Sequence, residues 1–205
     1  MIARPGKSPR WSWLLGLCLL LGGCVGHSPQ ARFYQLSALA DGPAVATGLP
    51  SGSTIAVGPV RLPDSLDRPQ LVSRSGDNEL RLAEYHRWAG SLRQEVTRVV
   101  GENLARLLPM ARIEPYPWHH GNLVRYQVEV TVTRLDGVLG QEAALDCQWS
   151  VVSPQENRLL LTRTTSLREP VAETDHSALV AAQSRLLGRL SGEVAEAVGQ
   201  IGKSP

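Results

Sequence analysis

The sequence predicts an α+β domain, a mostly antiparallel mixed sheet with two amphipathic helices packed on one face. Three observations carry this. Residues 124–133 alternate apolar and polar side chains without a break, as a strand with one buried face does. Two segments, one opening at Trp88 and one near Thr174, repeat apolar residues at three- and four-residue steps, the spacing of a helix with one buried stripe. The elements run in the order strands, helix, three-stranded meander, helix, which segregates helices from strands.

Taken in order, residues 33–36 read as a first strand. Residues 40–53 hold three Gly and two Pro and read as an exposed loop. Residues 54–60 are apolar on both faces, which predicts a central strand. Pro63 and Pro69 bracket a turn, and segments 70–74 and 79–82 form a hairpin across 75–78. The first helix buries Trp88, Leu92, Val96, Val99, Val100, Asn103, Leu104 and Leu107, with Arg93, Glu95, Arg98 and Glu102 opposite and Pro109 as the stop. After the 124–133 strand, Asp136-Gly137 and Gly140 turn the chain. Leu145, Cys147, Trp149 and Val151 then share a buried strand face. Residues 154–157 form a tight turn into a third strand over 158–167. The last helix starts near Thr174 or Asp175, both good N-caps. Its stripe is Leu179, Ala182, Leu186, Leu190, Val194, Ala197, Val198 and Ile201.

At 42% hydrophobic and 20% charged residues, the composition suits an ordinary globular chain. The amino-terminal part differs. Arg4, Lys7 and Arg10 precede an apolar run over 11–21, broken only by Ser12 and Gly16. The run is too short for a membrane span, which needs about 20 residues, and fits a signal-peptide core. Leu21-Gly22-Gly23-Cys24 follows and looks like a bacterial lipobox. A thiol is needed to carry diacylglycerol, and small residues let the backbone enter the peptidase. Residues 1–23 are therefore read as a lipoprotein signal peptide, Cys24 as the lipid attachment site, 24–31 as a tether and 32–203 as one α+β domain. The leader removes three basic and no acidic residues, so the mature chain holds 18 basic against 19 acidic side chains, net −1. No basic patch argues for nucleic acid. With Cys18 removed and Cys24 acylated, Cys147 has no partner for an intramolecular disulfide and reads as a core cysteine.

No catalytic pattern stands out. His119-His120 lie in a Pro-rich stretch without a ligand-like carboxylate or cysteine nearby. His86 has no nucleophile elbow beside it. Asp64, Asp67 and Glu84 read as solvated turn residues. No GxGxxG, Walker or HExxH motif occurs. The expectation is a protein that is not an enzyme and needs neither cofactor nor metal.

One resemblance covers nearly the whole mature chain. Residues 55–60, then Leu62-Pro63, the Leu66-Asp67-Arg68-Pro69-Gln70 stretch, Leu82-Ala83-Glu84-Tyr85 and Arg87-Trp88-Ala89 form an ordered series. Arg134-Leu135-Asp136-Gly137, Trp149 and residues 166–170 continue it. The series is similar to the PqiC/YmbA-type auxiliary lipoproteins of ABC transporters. That resemblance implies an accessory lipoprotein beside a mammalian-cell-entry (MCE) system. Such systems join an inner-membrane permease and ATPase to periplasmic MCE-domain proteins and move phospholipids or other hydrophobic molecules between membranes. It also implies that Leu66, Asp67, Arg68, Pro69, Gln70 and Trp88 are structural or partner-contacting positions. Family members can assemble as homo-oligomeric rings. Val25 after the cysteine, where retained lipoproteins carry Asp, favours the outer membrane facing the periplasm of a Gram-negative bacterium. In the turn, Arg68 is expected to bond Asp67 or Glu84. A pilotin-like or Tol-like assembly lipoprotein is the alternative, and an envelope hydrolase built around His86 or His119 a third.

Overall fold

The strands and helices follow from these patterns, with several boundaries moved. The computed structural model describes residues 29–38, 44–118 and 123–203. The leader, Cys24, Val25, His119 and His120 lie outside the described residues, as do parts of the tether and of the 40–53 loop. All elements below belong to one compact unit, Ala31–Pro205. They are β1 (Arg32–Tyr34), β2 (Thr54–Arg61), β3 (Gln70–Arg74), β4 (Leu80–Trp88), α1 (Leu92–Leu107), β5 (Arg112–Pro115), β6 (Val124–Gly137), β7 (Glu142–Ser153), β8 (Arg158–Pro170) and α2 (His176–Ile201).

The α+β class is as predicted, with the strands divided between two sheets. A three-stranded sheet has the order β1-β4-β3 and a five-stranded sheet the order β5-β2-β6-β7-β8. β2 runs parallel to both its neighbours, β5 and β6, so its two-sided apolar sequence does mark an interior strand. The meander β6-β7-β8 is antiparallel, with Val130 opposite Trp149 and Trp149 opposite Arg163. Its inner face buries Val128, Val130, Val132, Leu145, Cys147, Trp149 and Val151. α1 lies over β2 and β5, α2 over β6, β7 and β8, and the two helices pack on each other. Each fully buried Leu or Val contributes about 1.5–3 kcal/mol over an exposed one, and Leu179, Leu186, Leu187 and Leu190 of α2 are all at 0% exposure.

Trp88 closes β4 instead of opening α1. Its backbone N–H donates to the Pro69 carbonyl at 2.8 Å, and Ala89-Gly90-Ser91 separate it from the helix. It falls four residues before Leu92, so a strand residue entering the core extended the helical spacing. Glu95 is buried, against expectation, because the segment after β1 crosses it. The four-residue β5 is absent from the sequence reading. β6 continues through Gly137, and the turn lies beyond it, closed by Val138 N–H to the Glu142 carbonyl at 2.9 Å. A Cβ on Gly137 would stand 2.6 Å from that carbonyl oxygen and 2.7 Å from the Ala143 Cα, so glycine is required where β6, β7 and α2 meet. Gly58 (φ +122°) and Pro59 interrupt β2, and the β2–β6 register shifts between Val57 and Val60. That break accommodates a proline with no N–H in a strand paired on both sides.

Candidate functional site

The motif residues of the 66–70 stretch fold into a junction. Leu66 N–H and Asp67 N–H both donate to the Pro63 carbonyl, at 2.9 and 3.1 Å, and Arg68 N–H donates to the Leu66 carbonyl at 2.8 Å. Leu66 is 3% exposed and Trp88 5%, so both are core side chains. Pro69 accepts from Trp88 as above, and Gln70 sits opposite Arg87 at a register shift between β3 and β4. Asp67 pairs with Arg93 in the first turn of α1. The expected bond from Arg68 to Asp67 or Glu84 is therefore replaced. Arg68 Nη2 donates to the Asp64 carbonyl at 3.4 Å, and its Nε is buried without a partner among the described residues. Leu66, Asp67, Arg68, Pro69, Gln70 and Trp88 thus come together where the small sheet meets the start of α1.

A second junction holds the segment after β1 between the helices. Leu36 N–H donates to Glu95 Oε2 at 3.2 Å, and Arg98 Nη2 donates to the Leu36 carbonyl at 2.7 Å. Arg98 also bonds Glu95 at 2.7 Å and Glu102 at 2.9 Å. The Glu95 hydrogen bond is the main reason its guanidinium is held above the ordinary arginine range, with burial opposing. Ser37 N–H donates to Ser184 Oγ of α2 at 3.1 Å. Beside this, Tyr34 Oη and His86 Nδ1 lie 2.7 Å apart, and the His86 and His176 rings stack at 4.0 Å. Burial, then the His86 charge, pushes the His176 pKa down, with Asp175 opposing. A groove of about 480 Å³ runs between residues 33–38 and α2, lined by Phe33, Ser37, Val180, Ala181, Ser184 and Arg185.

The remaining motif positions bind sheet to sheet and sheet to helix. Asp136, 2% exposed, accepts from Arg74 Nε at 2.9 Å and Arg134 Nε at 2.8 Å. Arg74 is on β3, so this pair joins the two sheets. Trp149 Nε1 donates to Thr165 Oγ1 at 2.9 Å, which donates to Glu193 of α2 at 2.6 Å. Ser166 and Arg168 both donate to Asp146, at 2.6 and 2.7 Å, and Arg185 of α2 pairs with Glu169 at 2.6 Å. Cys147 is buried, and burial first, then Glu193 and Asp146, push its thiol up to about 12. The partners Arg74, Arg93 and Tyr34 went unread in the sequence, which carries no local signal for pairs 26 to 62 residues apart. Among the described residues, no three His, Cys, Asp or Glu side chains gather to hold a metal ion.

Comparison with known proteins adds identity to geometry. Residues 34–195 match the family described as ABC-type transport auxiliary lipoprotein component. No curated protein matches the chain. Among solved structures, a Xanthomonas campestris protein of the family DUF330 is 18% identical, with a TM-score of 0.70 over 84% of this chain and 97% of that one. An uncharacterized protein is 19% identical, with a TM-score of 0.69 over 83% and 99%. A hypothetical protein of Chlamydia trachomatis is 11% identical, with a TM-score of 0.50 over 76% and 100%. At these identities the solved structures show a shared fold.

Proposed function

The chain belongs to the ABC-type transport auxiliary lipoprotein family, and on that premise we propose that it is a lipid-anchored, non-enzymatic accessory subunit of an MCE-type transporter. The observation that carries this reading is the family match over residues 34–195 beginning ten residues after a lipobox cysteine. Cys24 holds the protein at the periplasmic face of the outer membrane, and the folded part meets the MCE-domain protein that bridges from the inner-membrane permease and ATPase. The cargo is a phospholipid or another hydrophobic molecule. Docking sites of the kind the family resemblance implies, and a homo-oligomeric ring, belong to this reading.

The side-chain chemistry supports a scaffold over a catalyst. The Cys147 thiol is buried and stays protonated at neutral pH. His86 is engaged by Tyr34 and stacked on His176. The motif carboxylates Asp67 and Asp136 are occupied by arginines. Co-purification tests the proposal. A lipidated, tagged chain solubilised from membranes in mild detergent should recover an MCE-domain protein together with its permease and ATPase. Recovery of none of them with a properly lipidated bait sinks the transporter role.

A further inference from the structure

The two sheets end on the edge strands β1, β3, β5 and β8. β1 has 3 residues, β3 has 5, and β5 has 4 and ends at Pro115. Edges that short offer little to an added strand. β8 has 13 residues, with proline only at its last position. Which of its backbone groups face outward follows from two observations. Val171 N–H donates to the Gln141 carbonyl at 2.9 Å, so Val171 faces β7. The β7–β8 register then runs unbroken from the Glu142–Pro170 pair to the Val151–Leu161 pair. In an antiparallel ladder, alternate residues turn both backbone groups to the same neighbour. The odd-numbered residues from 161 to 171 therefore bond β7, and the even-numbered ones between them face away from it.

At one end, α2 closes this outward side. Arg189 Nη1 donates to the Arg168 carbonyl at 2.8 Å, and Arg185 Nη2 to the Pro170 carbonyl at 3.1 Å. Thr162, Thr164 and Ser166 are exposed, and among the described residues no strand lies beyond β8 to take their outward N–H and C=O groups. Open edge backbone of this length is a template for a further strand. Arg163 is exposed beside it, with its guanidinium carbon 5.8 Å from the centroid of the Trp149 ring and no ion pair among the described residues. Leu161 shares that side of the strand by alternation and is half-buried. An added strand meets a cation and an apolar side chain on one face, and hydroxyls on the other.

Charge decides what fits. A second copy would have to offer one of its own edge strands. β1 and β3 carry no carboxylate. Glu114 of β5 is paired with Arg112 at 3.0 Å, and Glu169 of β8 with Arg185 at 2.6 Å and Arg189 at 3.6 Å. A second β8 would also bring its own Arg158, Arg163 and Arg168. We propose that β8 receives an extended segment of a partner protein by strand addition along Thr162, Thr164 and Ser166, and that a carboxylate side chain of this segment meets Arg163. The site stands on the geometry of β8 and is independent of the transporter role.

The test uses the full lipidated protein in mild detergent and a labelled heptapeptide of alternating threonine and valine with a central glutamate. A second peptide has lysine in place of the glutamate. Fluorescence anisotropy reads binding, and hydrogen exchange reads the amides of Thr162, Thr164 and Ser166. The glutamate peptide should bind and slow those three amides several-fold, and the lysine peptide should bind about tenfold more weakly. Arg163→Glu should invert that order. Thr164→Pro removes an N–H that faces away from β7, which an edge strand tolerates, and should weaken the glutamate peptide about tenfold. Should the proline variant fail to fold, the charge reversal at 163 still decides. No slowing of the three amides by either peptide overturns strand addition. Equal binding of both peptides by the unaltered protein overturns the carboxylate at Arg163. Protection that grows with protein concentration in the absence of peptide assigns the edge to a second copy. Slow exchange of the same amides in dilute, peptide-free protein means that the chain covers its own edge. Either of these last two results also overturns the proposal.

Discussion

Asp136 is 2% exposed and accepts from two guanidinium groups, one from each sheet. Asp136→Ala leaves Arg74 and Arg134 facing each other without their counter-charge. Breaking a buried pair costs about 3–5 kcal/mol. Both arginines keep some solvent access, which places the expected loss near the lower end, read as a fall in the urea midpoint with little change in slope. His176 makes a pH prediction. Its pKa is depressed by burial and then by His86, so the folded state holds the imidazole neutral. The unfolded chain takes up the proton first as pH falls, so this contribution is present above about 6.5 and is lost below it. Thermal scans from about pH 7 down to about pH 5 should show the wild type losing stability more steeply than His176→Gln. A parallel decline would show that the stack does not titrate as described. Cys147 should resist maleimide in the native protein near neutral pH and react once denatured, because its thiol is buried and pushed up to about 12.

At the scale of elements, the close contact at the end of β6 gives a sharp expectation. Gly137→Ala puts a methyl 2.6 Å from the Glu142 carbonyl and 2.9 Å from Leu179 Cδ1. The backbone on one side cannot yield freely, so the loss should be about 1–3 kcal/mol by chemical denaturation. Gly192→Ala, with nothing within 4 Å of the added carbon, is the control and should be neutral or slightly stabilising in the middle of α2. These elements were legible to different degrees. β6, β7 and α2 could be read because each has one buried face, and a single face imposes a period of two or of 3.6. The division into two sheets could not, since alternation along a strand says nothing about which strand lies beside it. β5 is four residues ending in Pro115, too short to show a period. Trp88 misled because a core residue happened to stand one helical turn before Leu92. Glu95 misled because its cover, Leu36, lies 59 residues away.

For the whole molecule, the motif residues of the 66–70 turn, Asp136, Trp149 and the 166–170 segment share one kind of work. They hold the small sheet, the large sheet and the helices in fixed relation through Arg93, Arg74, Thr165 and Asp146. The motif residues were readable from the chain, because most of them stand in short contiguous stretches. Their partners were not, because the fold alone brings them near. On the proposed reading, a lipid-anchored domain whose described motif side chains are engaged fits a subunit whose contribution is position. Cys24→Ala tests that most directly. In cells lacking the native protein, the variant should accumulate as a soluble, folded periplasmic domain with an unchanged denaturation midpoint, and should fail to restore the transporter-dependent envelope barrier. Full restoration of the barrier by the unlipidated variant would contradict the account, because the fold would then do its work without being held at a membrane.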